Sequence, residues 1–305
     1  MERVLVKKYY IPLSARHESS SCYNLALYIC DKVMEILANS ITLLIIFSFG
    51  ASIGSFLNVV IYRIPEKISL IYPPSRCPKC KHPLGKTENI PVLGWLWLKG
   101  KCRWCHTPIS FRYPLIEAMT GFFFVLIFQF FGFSWLTLGY MTFISWLIAL
   151  ALIDFDTMIL PNSLTQSGLV IGLIWQGWLG FVSNDGGIKG ICLSLFSAIV
   201  GGVVGIWLFD SILIIGSLVF GKQAMGGGDP KLASMIGVWL GWQGVLITGF
   251  LACLIGTILG GGAIALRLLK KGQPMPFGPY LVIGAVTTMF YGDYLLSRYL
   301  EFSGL

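Results

Sequence analysis

Seven residues of this chain combine reactive side chains with telling spacing. Four are cysteines, in CPKC at 77–80 and CRWC at 102–105, two C-x2-C pairs separated by 21 residues. Each pair can form a tight knuckle offering two thiolates. Two knuckles complete a tetrahedral zinc site, here Cys77, Cys80, Cys102 and Cys105. Four protein ligands leave no open position, so the metal is structural, and its binding supplies folding free energy to a loop with little core of its own. A pair of disulfides is the other reading, and it requires an oxidising compartment. His82 and His106 stand near enough to substitute as ligands, but four cysteines suffice and both are read as surface residues.

The other three are aspartates: Asp154 and Asp156 in ALIDFDTMILPN (151–162), and Asp229 in QAMGGGDPKL (223–232). On a helical end Asp154 and Asp156 point about 200° apart, so at most one faces a given partner. Pro161-Asn162 restarts a helix, with Asn162 as a candidate N-cap. Gly226, Gly227 and Gly228 let backbone approach backbone and adopt dihedrals that side chains forbid. Pro230 suits the first turn of the next helix. The glycines are therefore expected to bring Asp229 close to another helix end. Two carboxylates about 3 Å apart cannot both ionise cheaply, so one proton is shared; the pair can activate water as base while protonating a carbonyl as acid. Its titration belongs to the dyad rather than to either residue. This is aspartic protease chemistry, and it needs neither a metal nor a nucleophilic Ser or Cys.

The elements that must position these residues are membrane helices. Of the 305 residues 55% are hydrophobic and 12% charged, far too apolar for an ordinary soluble domain, with a mean hydropathy of +0.76. Eight apolar runs are long enough to cross about 30 Å of hydrocarbon: roughly 40–62, 114–132, 134–153, 164–183, 191–219, 232–249, 250–268 and 277–296. The fold class is thus all-α and polytopic, with a small loop domain at 63–113 between helices 1 and 2 and a seven-helix region at 114–305. Gly201, Gly202 and Gly205 weaken the fifth run as a plain helix, and little polar sequence separates the sixth from the seventh.

Orientation follows from charge. The segment 63–113 carries ten Lys or Arg against Glu66 and Glu88, and short basic loops stay cytoplasmic. With eight spans, this loop, the 154–163 turn, the 220–231 hinge and the Arg267/Lys270/Lys271 turn share one face, which holds 15 of the 22 basic residues. Both chain ends then face outward. The net charge of +8 is a topology signal, not a nucleic-acid one, since no basic helix is interleaved with exposed aromatics. Trp95, Trp97 and Trp104 are expected to pack around the cysteines or rest at the membrane interface.

The remaining acids and cysteines divide. Asp185 and Glu301 are read as solvated and Asp293 as able to reach water. Glu117 sits where an acid favours the start of the second span. Asp210 falls mid-span, where an acid is a functional candidate by default, although a hydrogen-bonded carboxyl serves structure equally. Cys22, Cys30, Cys192 and Cys253 share no spacing, and the last two read as small hydrophobes. Residues 1–38 lack the order of a cleaved signal peptide and receive no role; Met34 is a candidate natural start. No internal repeat is evident.

Six motifs in order resemble one family, the bifunctional type IV prepilin peptidases. They are GSFLNVVIYRIP (54–65), the paired C-x2-C loop, YPLIEAMTG (113–121), IDFDTMILPN (153–162), GGGD (226–229) and PFGPYL (276–281). The resemblance implies a polytopic inner-membrane aspartic protease. Such enzymes remove the basic leader of prepilins or pseudopilins at the cytoplasmic face and then methylate the new N-terminal residue with S-adenosylmethionine. It maps the catalytic pair to Asp154, seven residues before Pro161, and to Asp229 of the GxGD motif, with Asp156, Gly226 and Gly228 in support. It also implies the structural Zn2+ on the four cysteines. No G-x-G after a strand locates the methyl donor, and Glu66, Glu88 and Glu117 are the acids near the loop that could serve it. Two rival readings stay open: a peptidase without methylation, and a proton-coupled transporter relaying protons through Asp154, Asp210 and Asp229, whose acids would lie nearer the bilayer midplane.

Overall fold

A computed structural model of the protein describes residues 16–85, 87–183, 187–221, 225–267 and 275–303. Asp185, Lys270, Lys271 and residues 1–15, all used in the reading above, lie outside the described residues. Eight helices occur among the described residues: α1 (Arg16–Arg63), α2 (Leu93–Trp97), α3 (Arg112–Phe131), α4 (Trp135–Thr157), α5 (Asn162–Val182), α6 (Ile188–Phe220), α7 (Asp229–Ala265) and α8 (Gly278–Ser303). These residues hold no strand, only the isolated bridges Arg76–Pro83 and Lys101–Pro108. Five helical stretches are long and apolar enough to cross a membrane: Asp31–Arg63, Arg112–Phe131, Trp135–Thr157, Ile188–Val219 and Asp229–Ala265.

The chain divides into two compact units, residues 1–46 and 47–305. In the first, the described residues are the N-terminal part of α1, where Lys32 pairs with Glu35 across one turn at 2.7 Å. The second holds everything else. Its core is α4 and the start of α7: Phe143, Ile144, Leu147, Leu150 and Ile153 are fully buried, as are Leu232, Ala233, Met235 and Ile236.

Two expectations about the helices need correction. α6 is one helix, and the glycines expected to weaken it form a packing seam instead. A Cβ at Gly201 would strike the backbone of Gly237, and one at Gly205 would lie 2.5 Å from the carbonyl oxygen of Ala233. Small residues four apart on both helices let the backbones touch, which is how helices associate where lipid offers no hydrophobic drive.

The division expected at 249/250 falls at Gly241 instead, whose φ of 75° and ψ of 175° interrupt α7. Contacts show that the chain folds back there. Before the break Ala233 and Gly237 meet Gly205 and Gly201 of α6, running antiparallel to it; after the break Gly249 lies against Phe209 and Gly260 against Met275. The position requires glycine because side chains rarely adopt that φ. A helix break strands backbone carbonyls in an apolar setting. Gln176 of α5 takes two of them, its Nε2 donating to Val238 O at 3.3 Å and Trp239 O at 3.0 Å. Trp239 is locked in turn by stacking on Phe143 and by donating Nε1–H to Gly168 O at 2.9 Å.

Asp210 is exposed on α6, and nothing in the structure explains its place there. Cys192 and Cys253 are exposed on the apolar helices α6 and α7.

The α6–α7 seam leaves no room for a side chain. Gly201→Leu is expected to force the two backbones apart, at a cost of about 1–3 kcal/mol. A thermal melt in detergent should show a clearly lower Tm than the parent; an unchanged Tm would mean the seam is not close-packed.

Candidate active site

Three helix ends converge on one cavity of about 250 Å³ lined by Asp154, Met158, Ile159, Leu160, Gly226–Gly228, Asp229 and Lys231. Asp154 comes from the last turn of α4, which ends when Met158 turns left-handed and returns its N–H to Asp154 O at 2.8 Å. Asp229 is the first residue of α7, with Pro230 following in the first turn as expected. The two residues are 5% and 3% exposed.

Gly228 makes this convergence possible. A Cβ there would come within 2.7 Å of the Cβ of Leu160, just past the end of α4. The third end is α8. The N–H of Gly278, its first residue, donates to Asp154 Oδ2 at 2.9 Å, at the helix pole where an anion is favoured. A Cβ on Gly278 would lie 2.6 Å from that oxygen. The reading of PFGPYL as a motif gave Gly278 no role; the pattern of a glycine opening a helix beside a proline was the available signal.

Asp156 does not line the cavity. It faces away from Asp154, as the helical period required, and its carboxylate is gripped by the Arg112 guanidinium at both oxygens. Asn162 does not cap α5 either. Pro161 occupies the cap position, and the Asn162 side chain instead accepts from Lys231 Nζ at 2.7 Å, tying the start of α5 to that of α7 at the cavity rim.

The four cysteines meet in the loop between α1 and α3, their Sγ atoms all within 4.8 Å of one another. The closest pairs run across the knuckles, Cys77–Cys105 at 3.7 Å and Cys80–Cys102 at 3.9 Å. Tetrahedral ligands about 2.3 Å from a zinc ion stand about 3.8 Å apart, so the set fits a metal and is too wide for disulfides. The Thr107 hydroxyl, 3.3 Å from Cys105 Sγ, pulls that thiol down to about 6.

The two knuckles are copies of each other. Cys77 N–H donates to His82 O and Lys81 N–H to Cys77 O, while Cys102 N–H donates to Thr107 O and His106 N–H to Cys102 O. Lys81 and His106 both have positive φ. RCPKCKHP (76–83) and KCRWCHTP (101–108) are thus a short internal repeat that the sequence reading missed, because only the cysteines and the proline recur. His82 and His106 stay outside the cluster, His82 resting on Trp104 with ring centroids 4.3 Å apart.

The contacts that residues of GSFLNVVIYRIP make are structural ones. Gly54 lets α1 touch α3, Asn58 donates to Tyr113 O at 3.2 Å, and Arg63 donates to the carbonyls of Ser69, Leu70 and Pro73. Glu117 does not serve the start of α3. It lies one turn further in and accepts the Val92 N–H at 2.6 Å where the chain enters α2. Glu88 accepts the Gly85 N–H at 3.0 Å.

Comparison with known proteins decides the family. Residues 48–131 match the Bacterial Peptidase A24 N-terminal domain, and residues 141–261 match the Type IV leader peptidase family. Proteins named prepilin leader peptidase/N-methyltransferase are similar over most of their length. That of Aeromonas salmonicida is 38% identical, covering 84% of this chain and 93% of its own. Those of Pseudomonas aeruginosa and Neisseria gonorrhoeae are 37% and 39% identical, covering 84% and 77% of this chain and 92% and 85% of theirs. No solved structure matches. The chain belongs to the type IV leader peptidase family. With five helical stretches among the described residues long and apolar enough to cross a membrane, it is a multi-pass membrane member of that family, and a peptidase.

Two outcomes are expected of this peptidase. Gly278→Ala should displace the Asp154 carboxylate and lower peptidase turnover about tenfold or more, with unchanged metal content. Cys102→Ser should take bound metal, measured by elemental mass spectrometry, from one ion per chain to none, and make the 64–111 loop protease-sensitive.

Proposed function

We propose that this protein removes the basic leader of type IV prepilins and pseudopilins at the cytoplasmic face of the bacterial inner membrane, and then methylates the new N-terminal residue with S-adenosylmethionine. The observation that carries the peptidase reading is the burial of Asp154 and Asp229 on one small cavity at the ends of three helices. One carboxylate takes a proton from water as it adds to the scissile carbonyl carbon; the other protonates the carbonyl oxygen, and the amine leaves with a proton when the intermediate collapses. Asp154, fixed by Gly278, is suited to stay put through this exchange. Gly226 and Gly228 support the pair by shaping the turn that presents Asp229.

Counting α7 as two arms, the first only about half a membrane long, leaves eight apolar segments, seven of them of the expected length. Both arms then begin or end on the side of the cavity, as do α4, α5, α6 and α8. The basic 63–113 loop supports the cytoplasmic assignment of that side. A prepilin, a basic leader followed by an apolar helix, would present its cleavage point at the same boundary.

Zinc is the metal the all-thiolate, near-tetrahedral cluster favours. S-adenosylmethionine is implied by the methyltransferase names of the relatives. Among the described residues no group composes its site. Of the acids considered for it, Glu88 and Glu117 are already held by backbone amides, and no methylation step is assigned to a residue.

Co-expression with a prepilin and mass analysis of the product's N-terminus tests both activities. Asp154→Asn and Asp229→Asn should each lower leader removal by about 10²–10⁴-fold. Asp156→Asn should cleave normally, since it loses only an exposed ion pair worth at most about 1 kcal/mol. Full processing by the first two variants refutes the assignment. The parent's product should carry one added methyl group, and its absence leaves a peptidase alone.

A further inference from the structure

α2 is a five-residue helix in the loop joining α1 to α3, and Leu93, Leu96 and Trp97 are 61%, 55% and 80% exposed. Residues three and four apart share a helix face, so these three form one apolar surface. The opposite face is occupied: Gly94 is buried, and Trp95 donates Nε1–H to Ile109 O at 3.0 Å while its ring meets the edge of Phe111. A large apolar face left outside a small domain's core marks a contact surface.

Depth identifies what covers it. The Val92 N–H that opens α2 is bonded to Glu117, the sixth residue of α3, about 7.5 Å along that helix from its first residue. Gly54 of α1 packs on the same glutamate, a Cβ there falling 2.7 Å from Glu117 Cα, and it lies nine residues before α1 ends at Arg63. Both helices are long and apolar enough to cross the membrane. The loop therefore folds back, and α2 begins beside their interiors rather than beyond their ends. Lys99 and Lys101, both exposed, follow the apolar face at once, where ammonium groups can reach lipid phosphates.

We infer that α2 is an interfacial helix: Leu93, Leu96 and Trp97 sit among the headgroups and upper acyl chains of the leaflet, with Lys99 and Lys101 at the phosphates, and the cysteine loop is thereby moored to the bilayer. This rests on the membrane-crossing of α1 and α3, not on the identity of the substrate.

Full-length protein in nanodiscs of phosphatidylethanolamine and phosphatidylglycerol tests it, with the photoreactive residue p-benzoylphenylalanine placed at Trp97, at Leu96, or at exposed Lys79 as the comparison. One metal ion per chain verifies folding of each variant. After irradiation, mass spectrometry should find phospholipid adducts on the α2 peptide in about fivefold or greater yield than at position 79. Equal yields at the three positions overturn the inference, and so do α2 adducts formed only with protein, including added prepilin. Lipid adducts form whether or not the chain cleaves prepilins, so a failure here and a failure of the peptidase reading are distinguishable.

Discussion

A carboxylate at the edge of hydrocarbon persists only if hydrogen bonds replace the water it has lost. For Asp154 that bond comes from the N–H of Gly278, 124 residues away in the chain. Much of the membrane unit can be understood as what is needed to make it. α4 must end beside the start of α8, so its last turn closes on a left-handed Met158. Gly278 must carry no side chain, because the oxygen occupies the space a Cβ would take. Asp229 must reach the same cavity from a third direction, and the glycines before it let its turn lie on Leu160.

The return of α7 upon itself serves the same end. A straight helix from Asp229 to Ala265 would carry the chain away from the cavity and leave α8 to begin elsewhere. The break at Gly241 lets both arms pack beside α6, and Gln176 meets the carbonyls that the break exposes. A polar side chain in the middle of an apolar helix is thus tied to a backbone event on its neighbour. Neither makes sense alone.

How much of this was legible in the chain depended on whether the signal was local. Membrane helices, the paired cysteines and the carboxylate-bearing turns are written in composition and spacing, and the helical period separated Asp154 from Asp156 before any coordinates did. The fold-back was misplaced by eight residues because Gly241 sits in a long apolar run, and only its backbone conformation in the fold distinguishes it from the other glycines there. The seam glycines Gly201 and Gly205 were read as weakness because propensity penalises glycine in a helix, while close packing against another backbone rewards it. Asn162 and Glu117 were assigned to their own helices; each serves a neighbour, through Lys231 and Val92, and no single-segment rule reaches that far.

The arm from Asp229 to Leu240 is 12 residues, about 18 Å, well short of the thickness of a bilayer's apolar layer. This strut is pinned along its length by α6, at Ala233 and Gly237, and carries the acid at one end. Its length is therefore a fixed gauge. Adding a single residue would advance the acid by about 1.5 Å and swing it about 100° round the helix axis, off the cavity, whereas an inserted residue near the far end of α1 would disturb no such register.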